Sequence, residues 1–329
     1  MLSTRRLSTR RLTARVAVAL VALLLPALSG ATSPGLNGRI AYAVKDSQGH
    51  WQIWVANGDL TSAKKLSRGR YDSGWAVWAP SGKQFAFDSN RTDPTPSDSH
   101  QVNDVFVMKT NGTGVKKLTD SKGISGDAAW SPKGSLIAFD ADRGNPKGFS
   151  AIYVIRPNGR GLRTLTHPRP PMSDYKPRFS PDGTQVVFIR ERGTAEIGPA
   201  ALFTMHADGS HLHRLTPFSF HADDSDWSPD GKRIVFDGYP SPSAYGDIYA
   251  VDATGGSAVN LTRNPAGEAG SADPAWSPDG TRILFLDNRV LNGVPRTGLA
   301  TMNPDGSDRH FLSSKNIEAH QADWESVHA

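Results

Sequence analysis

A Trp or Phe followed by Ser-Pro-Asp-Gly, or by a close variant of it, recurs five times along this chain. The copies are Trp78-Ala-Pro-Ser-Gly82, Trp130-Ser-Pro-Lys-Gly134, Phe179-Ser-Pro-Asp-Gly183, Trp227-Ser-Pro-Asp-Gly231 and Trp276-Ser-Pro-Asp-Gly280. Trp324 marks a sixth, degenerate copy near the C-terminus. The aromatic residues are spaced 52, 49, 48, 49 and 48 residues apart. A repeat of that period means that one supersecondary unit is used over and over, and that each unit buries its faces against its neighbours.

Within a unit, a β-rich segment follows the turn: Phe85-Ala-Phe87, Ile137-Ala-Phe139, Val186-Val-Phe188, Ile234-Val-Phe236 and Ile283-Leu-Phe285. A variable loop comes next, then a second apolar segment such as Val105-Phe-Val107, Ile152-Tyr-Val154 or Ile248-Tyr-Ala250. A Gly turn leads to a closing Leu-Thr or Leu-Ser pair at Leu66, Leu118, Leu165, Leu215, Leu261 and Leu312. β-branched and aromatic enrichment, alternation and Gly/Pro/Asp punctuation all indicate strands, with no amphipathic helical window. Each unit therefore predicts four short antiparallel strands. One such sheet cannot bury both faces, but six arranged radially can. The expected fold is all-β, a six-bladed β-propeller over residues 38–329.

The repeat is out of phase with the chain. It starts at a second strand, Arg39-Ile-Ala-Tyr42, and stops after a first strand around Ala322-Asp-Trp324. Pairing of the C-terminal strand with the N-terminal blade would close the ring and remove an exposed sheet edge.

The pattern x-x-Trp-Ser-Pro-Asp-Gly-x-x-Ile-x-Phe, with Ile-Tyr-x-x and Leu-Thr, resembles the WD40-like PD40 repeat of TolB-type propellers. The resemblance covers residues 38–329 and implies fold more than function, because these repeats serve many proteins. The first repeat begins directly behind the N-terminal apolar segment, which is expected to leave no room for the α/β domain that precedes the propeller in TolB itself. The hydrolase domain that follows the propeller in prolyl-oligopeptidase-like enzymes is likewise not expected.

Residues 1–31 read as a secretory signal peptide. Arg5, Arg6, Arg10, Arg11 and Arg15 precede an apolar run, Val16–Leu28, and small residues follow it at Ser29-Gly30-Ala31. The run is too short for a spanning helix, which needs about 20 residues. Residues 32–37 would form a short leader. The expected location is secreted or periplasmic, in the cell envelope, with no stable membrane insertion after cleavage. The whole chain carries 37 Lys+Arg and 32 Asp+Glu, but the segment 1–31 holds five arginines and no acid, so the remainder carries 32 of each. That balance gives no electrostatic case for nucleic acid or an anionic membrane. The chain has no cysteine, and a domain of this size needs no disulfide to bury an adequate core. A monomer is expected.

The recurring Trp and Phe read as core between blades, and Ser-Pro-Asp-Gly as a tight turn. Pro sets φ at the second position, Asp bonds backbone N–H, and Gly accepts positive φ. Arg91, Arg143 and Arg289 follow the second strands and are expected to tie loops to neighbouring blades by salt bridges.

Alternating strand direction puts the short turns on one face. The long connections share the other: Asp88–Asn103, Ala141–Ser150, Arg190–Ala200, Gly238–Gly246 and Asp287–Thr297. Varied loops on a rigid scaffold are where binding is expected. The residue three before each recurring aromatic should sit at the channel mouth on that face: Trp75, Asp127, Lys176, Asp224, Asp273 and Gln321. His320 and Asp223 lie beside them, with Tyr71, Tyr175, Phe218, Phe220 and His221 in the same connections. Converging carboxylates repel by about 4 kcal/mol at 4 Å in an effective dielectric near 20. Water, Lys176 or a cation must intervene, and a Ca²⁺ on Asp127, Asp224 and Asp273 is one arrangement; no other cofactor is expected.

No Gly-x-Ser-x-Gly, His-Glu-x-x-His or P-loop occurs, so no catalytic residue is assigned. His206, His211 and His213 gather at one turn and read as solvated. The leading reading is a non-catalytic protein-interaction scaffold for a partner in the envelope or extracellular space, as the TolB resemblance implies. The alternative is a carbohydrate-binding protein or polysaccharide lyase, with its site at the channel mouth. Some PD40 propellers resemble oligogalacturonate lyase, whose metal is held by several His and a Gln; here His221, His320 and Gln321 are the candidates.

Overall fold

A computed structural model describes residues 35–93, 103–120, 123–143, 148–193, 198–239, 246–265, 270–312 and 319–327. The signal expected at 1–31 lies outside the described residues, as do parts of the long connections. The described residues form six four-stranded antiparallel sheets. The first complete blade holds β4 (Ser73–Trp78), β5 (Gln84–Ser89), β6 (Asp104–Lys109) and β7 (Lys116–Lys117), after β1 (Leu36–Lys45), β2 (Trp51–Ala56) and β3 (Lys64–Lys65). The next holds β8 (Ser125–Trp130), β9 (Ile137–Ala141), β10 (Ala151–Ile155) and β11 (Arg163–Thr164). It is followed by β12 (Met172–Phe179), β13 (Gln185–Arg192), β14 (Ala200–His206) and β15 (His213–Arg214). Then come β16 (Ala222–Trp227), β17 (Arg233–Gly238), β18 (Asp247–Asp252) and β19 (Val259–Asn260). The last are β20 (Gly270–Trp276), β21 (Ile283–Leu291), β22 (Val294–Met302), β23 (His310–Phe311) and β24 (Ala319–Val327).

The sixth sheet has the order β24-β1-β2-β3, so the C-terminal strand is the innermost strand of the blade that the N-terminal residues begin. Ile40 pairs with Trp324 and Val44 with Ala319. The Arg39 guanidinium grips the Glu325 carboxylate with two hydrogen bonds, Nε to Oε2 at 2.8 Å and Nη2 to Oε1 at 2.9 Å. β1 starts at Leu36, paired with Val327, so Leu36 and Asn37 of the expected leader belong to the closing sheet.

The recurring aromatic residues are buried, each in a cluster that joins two blades. Trp130 packs with Val105 and Val107 of the preceding blade. Trp227 does so with Val187 and Leu202, and Trp324 with Leu284 and Leu299. Phe179 takes the same role against Ile152 and Val154. Two indoles also bond the preceding innermost strand: Trp78 Nε1 donates to Asp323 O and Trp227 Nε1 to Arg178 O, both at 3.2 Å.

The Ser-Pro-Asp-Gly turns follow the expected chemistry. In Phe179-Ser-Pro-Asp-Gly183, the Gly183 amide donates to Ser180 O and the Thr184 amide to Asp182 Oδ1, with Gly183 at φ 72°. The closing Leu-Thr pair has a reason too. The hydroxyl of Ser67, Thr119, Thr166, Thr216 or Thr262 accepts an N–H of the second or third residue of the third strand of its own blade, at 2.8–3.0 Å. A buried amide at a strand end is thereby satisfied.

Two expectations are corrected. The stretch Asp287–Thr297 is no loop: β21 and β22 form a long hairpin, Arg289 opposite Arg296 and Leu291 opposite Val294. Its turn is Asn292-Gly293, with φ 52° and 78°, as a two-residue type I′ turn requires. Among the described residues, the arginines that follow the second strands make no salt bridge to a neighbouring blade. Arg91 bonds Ser89 and Ser73 and lies over Tyr71, Phe87 and Phe106. Arg143 lies over Tyr153 and Arg289 pairs with Asp287. Each stacks on a ring of its own blade, Arg91 and Arg143 on third-strand Phe106 and Tyr153 and Arg289 on fourth-strand Phe311, and a ring offers its face to a guanidinium.

Candidate functional site at the channel mouth

The innermost strand of every blade breaks register with the second strand near the mouth, for example between Gly74 and Val77, Gly126 and Ala129, and Ala272 and Ala275; the closing sheet has a second break, between Asn37 and Ile40. An extra residue is accommodated there as a β-bulge, which turns its side chain out of the ladder. The bulge falls on the six residues expected at the mouth. Trp75, Asp127, Lys176, Asp273 and Gln321 have φ of 51°, 52°, 53°, 54° and 48°. Non-glycine residues rarely adopt this left-handed region, and here it recurs at five equivalent positions. Asp224 departs from the pattern. In its blade the left-handed residue is His221 (φ 45°), which ends a 3-10 turn, Phe218–Phe220.

Trp75, Asp127, Asp224, Asp273 and Gln321 line the central channel, together with Arg178, Asp226 and Asp323 one step deeper. Its free volume is about 50 Å³, room for only a few waters. Lys176 turns aside. With Asp127, Tyr175, Glu191, His221, Asp223 and Tyr239 it lines a separate pocket of about 300 Å³ between the β12–β15 and β16–β19 blades. Phe218 and Phe220, expected near the mouth, instead pack against Phe203 and Phe236. His320 meets the edge of Trp51 at 5.1 Å.

The carboxylates hold the ring together. The bulge amide of Asp127 donates to Asp88 Oδ2 of the preceding blade at 2.7 Å, and that of Lys176 to Asp140 Oδ1 at 3.1 Å. The Gln321 amide donates to Asp273 Oδ2, which also meets His320 Nδ1 at 3.2 Å. Deeper, the Trp78 amide donates to Asp323 Oδ2 and the Trp276 amide to Asp226 Oδ2. The sequence reading missed Asp88, Asp140, Asp226 and Asp323. Asp88 and Asp140 end apolar second strands directly after Phe87 and Phe139. The recurring Phe-Asp pair, present again at Phe236-Asp237, was the available signal.

Lys176 supplies the counter-charge: its Nζ lies 2.6 Å from Asp223 Oδ1 and 2.9 Å from Asp224 Oδ2. Burial opposes its charge, but Asp223, Asp224 and Asp127 outweigh burial and raise it well above the ordinary lysine value. Asp224 is likewise disfavoured by burial, yet Lys176 and Arg178 hold it below the usual carboxylate range. Burial pushes Asp127 up to about 6, with Lys176 opposing the rise and Asp224 adding to it. Burial drives Asp88 and Asp140 well above the usual range, with Asp127 adding to both. Burial pushes Asp323 up to about 7 against the Trp78 amide.

Among the described residues, no three His, Asp or Glu side chains are placed to hold a metal ion together. Of the three carboxylates expected to hold Ca²⁺, Asp224 meets Lys176 and Asp273 meets His320. His221 and His320 each have Nδ1 engaged within the protein. His221 Nδ1 faces Gly198 O at 3.0 Å, and His320 faces Asp273. His206 and His211 stack at 4.1 Å on an exposed turn, where Ser210 Oγ bonds His211.

The family model of the TolB beta propeller domain (PD40) matches residues 145–328. The chain belongs to this TolB β-propeller family. It is 26% identical over 169 residues to an uncharacterized protein of Agrobacterium fabrum, covering 49% of this chain and 53% of that protein. It is 28% identical over 152 residues to a TolB homolog of Chlorobium luteolum, covering 45% of this chain and 31% of that protein. The chain thus matches about half or less of the length of these curated relatives. Among solved structures, TolB from Acinetobacter baumannii superimposes with a TM-score of 0.69 at 22% identity, over 88% of this chain and 67% of that one. An oligogalacturonate lyase in complex with manganese gives 0.53 at 14% identity, over 83% and 88%. At these identities the likeness is one of fold. No helix among the described residues is long and apolar enough to cross a membrane.

Proposed function

We propose that this TolB-family propeller is an exported, non-catalytic docking module that receives a protein partner on its wide-loop face. The observation that carries the reading is the commitment of most carboxylates around the mouth, Asp127 apart, to structure. Asp88, Asp140, Asp226, Asp273 and Asp323 each accept a backbone amide of the following blade. Asp224 is held by Lys176. A general acid or base needs a free carboxyl within reach of a substrate, whereas these groups build a rigid, preformed rim. Rigidity suits a docking surface, because little entropy is lost there on binding.

The test is capture from the native envelope fraction with tagged full-length protein, beside Trp75→Glu on the wide face and Asp208→Lys on the narrow-turn face. A partner retained by Asp208→Lys and lost by Trp75→Glu is the expected result. No partner with either protein, together with a rise in melting temperature on adding uronic-acid oligosaccharides, would replace this reading by the carbohydrate one. Export is tested by the N-terminal mass of the protein recovered outside the cytoplasm, expected to begin at Thr32.

A further inference from the structure

We propose that the pocket between the β12–β15 and β16–β19 blades is a receptor for a cationic side chain, a lysine or arginine presented by the docked partner. The inference rests on the docking reading and names the chemistry that would anchor it. The channel is too narrow for a side chain, but the pocket beside it is not. Its volume of about 300 Å³ lies at the lower end of the range for small-ligand sites, about 300–1,000 Å³.

Its walls suit a cation. Glu191 enters from β13 and uses Oε1 to accept the Gly198 amide at 2.8 Å, which leaves Oε2 available. Asp223 enters from β16, is half exposed, and gives Oδ1 to Lys176, which leaves Oδ2 available. Tyr175 and Tyr239 supply ring faces, and ring faces attract ammonium and guanidinium groups. His221 directs Nδ1 at Gly198 O, so in the neutral ring Nε2 remains an acceptor. Among the described residues, Lys176 is the one cation lining the pocket, against Asp127, Glu191 and Asp223; its charge is already spent on Asp223 and Asp224 at 2.6 and 2.9 Å. Glu191 makes no ion pair among the described residues. An incoming cation would therefore complete the charge balance.

The backbone fixes this geometry. His221 is held in the left-handed region at the end of the Phe218–Phe220 turn, whose rings are anchored in the packing between blades. The pocket is thus preformed, and the cost of ordering it on binding is small.

The probes are N-acetyl-arginine methylamide and N-acetyl-lysine methylamide, with the norleucine analogue as the uncharged control. Each is titrated into isotopically labelled protein while the Gly198 amide resonance is followed. The cationic probes are expected to shift that resonance saturably, and the norleucine analogue to leave it in place. Glu191→Gln keeps the acceptor for Gly198 and should melt near the parent; Asp223→Asn keeps an acceptor for Lys176 but removes a counter-charge, so its binding is read at a temperature where it is folded. Each should weaken binding about ten-fold, as expected for one charge-assisted hydrogen bond. An unmoved Gly198 resonance, or equal binding by parent and variants, would overturn the assignment. The two readings separate cleanly. A captured partner with no response to the cations removes the pocket alone, whereas binding of the cations with no captured partner removes the docking role alone.

Discussion

The Lys176 ammonium lies 2.9 Å from the Asp224 carboxylate, and the two side chains come from neighbouring blades at equivalent positions of the repeat. Mutual repulsion of the mouth carboxylates is thus relieved by a cation encoded in the chain. Removing one partner of a largely buried pair leaves the other uncompensated, at a cost of about 3–5 kcal/mol. Lys176→Met is expected to destabilise the protein by that amount, read from denaturant unfolding. Adding Asp224→Asn should restore part of the loss, and a double variant no more stable than Lys176→Met would show that the pair is not coupled.

Ring closure gives a second prediction. Without β24, β1 becomes an open edge and Trp324 leaves its cluster. Deleting the last ten residues is expected to lower the melting temperature far more than a tail deletion would, or to prevent folding. Trp324→Ala alone should cost about 3–5 kcal/mol. A truncated protein with parental melting behaviour would contradict the pairing of Ile40 with Trp324.

The third prediction concerns pH. The Asp323 carboxyl titrates at about 7 in the folded protein, against about 3.9 unfolded. Between those values the folded state binds more protons, so this group's contribution to stability falls as pH rises from about 4 to 7. Asp323→Asn keeps an acceptor for the Trp78 amide and carries no charge. The variant is expected to match the parent at pH 4 and to exceed it at pH 8 by up to about 4 kcal/mol. A gain that is equal at both pH values would assign the effect to something other than this proton.

The last concerns a turn. Gly209 sits at φ 94°, and a Cβ there would lie 2.6 Å from Leu165 O of the preceding blade. Gly209→Ala combines an unfavourable backbone conformation with a clash against main chain, and about 2 kcal/mol of destabilisation is expected. Gly49, with positive φ and open space around it, is the control: Gly49→Ala should show the backbone part alone, about 1 kcal/mol.

Blade number, strand order and turn chemistry were legible in the sequence because they repeat along the chain and rest on local rules, and closure followed from the phase of that repeat at the two ends. The tip of the β21–β22 hairpin was equally legible in Asn292-Gly293, but it hid inside a stretch that is loop in the other units. The mouth positions were found from their distance to the recurring aromatic residue. Their use was not, because it depends on contacts between blades. Asp88 meets the amide of Asp127 across 39 residues, and Asp323 meets Trp78 across 245. No local pattern tells a strand-ending aspartate that faces solvent from one that caps the next blade.

The repeated bulge has a consequence for how such a protein can change. A side chain is aimed by the backbone beneath it, and at five blades that backbone adopts one shape under Trp, Asp, Lys, Asp and Gln alike. Aim and identity are therefore uncoupled. The ring behaves as a set of sockets with a common aim, in which the chemistry of the mouth can be rewritten at a position such as Trp75, whose side chain is not itself a tie between blades, while Asp273 and Lys176 are held by what they tie together.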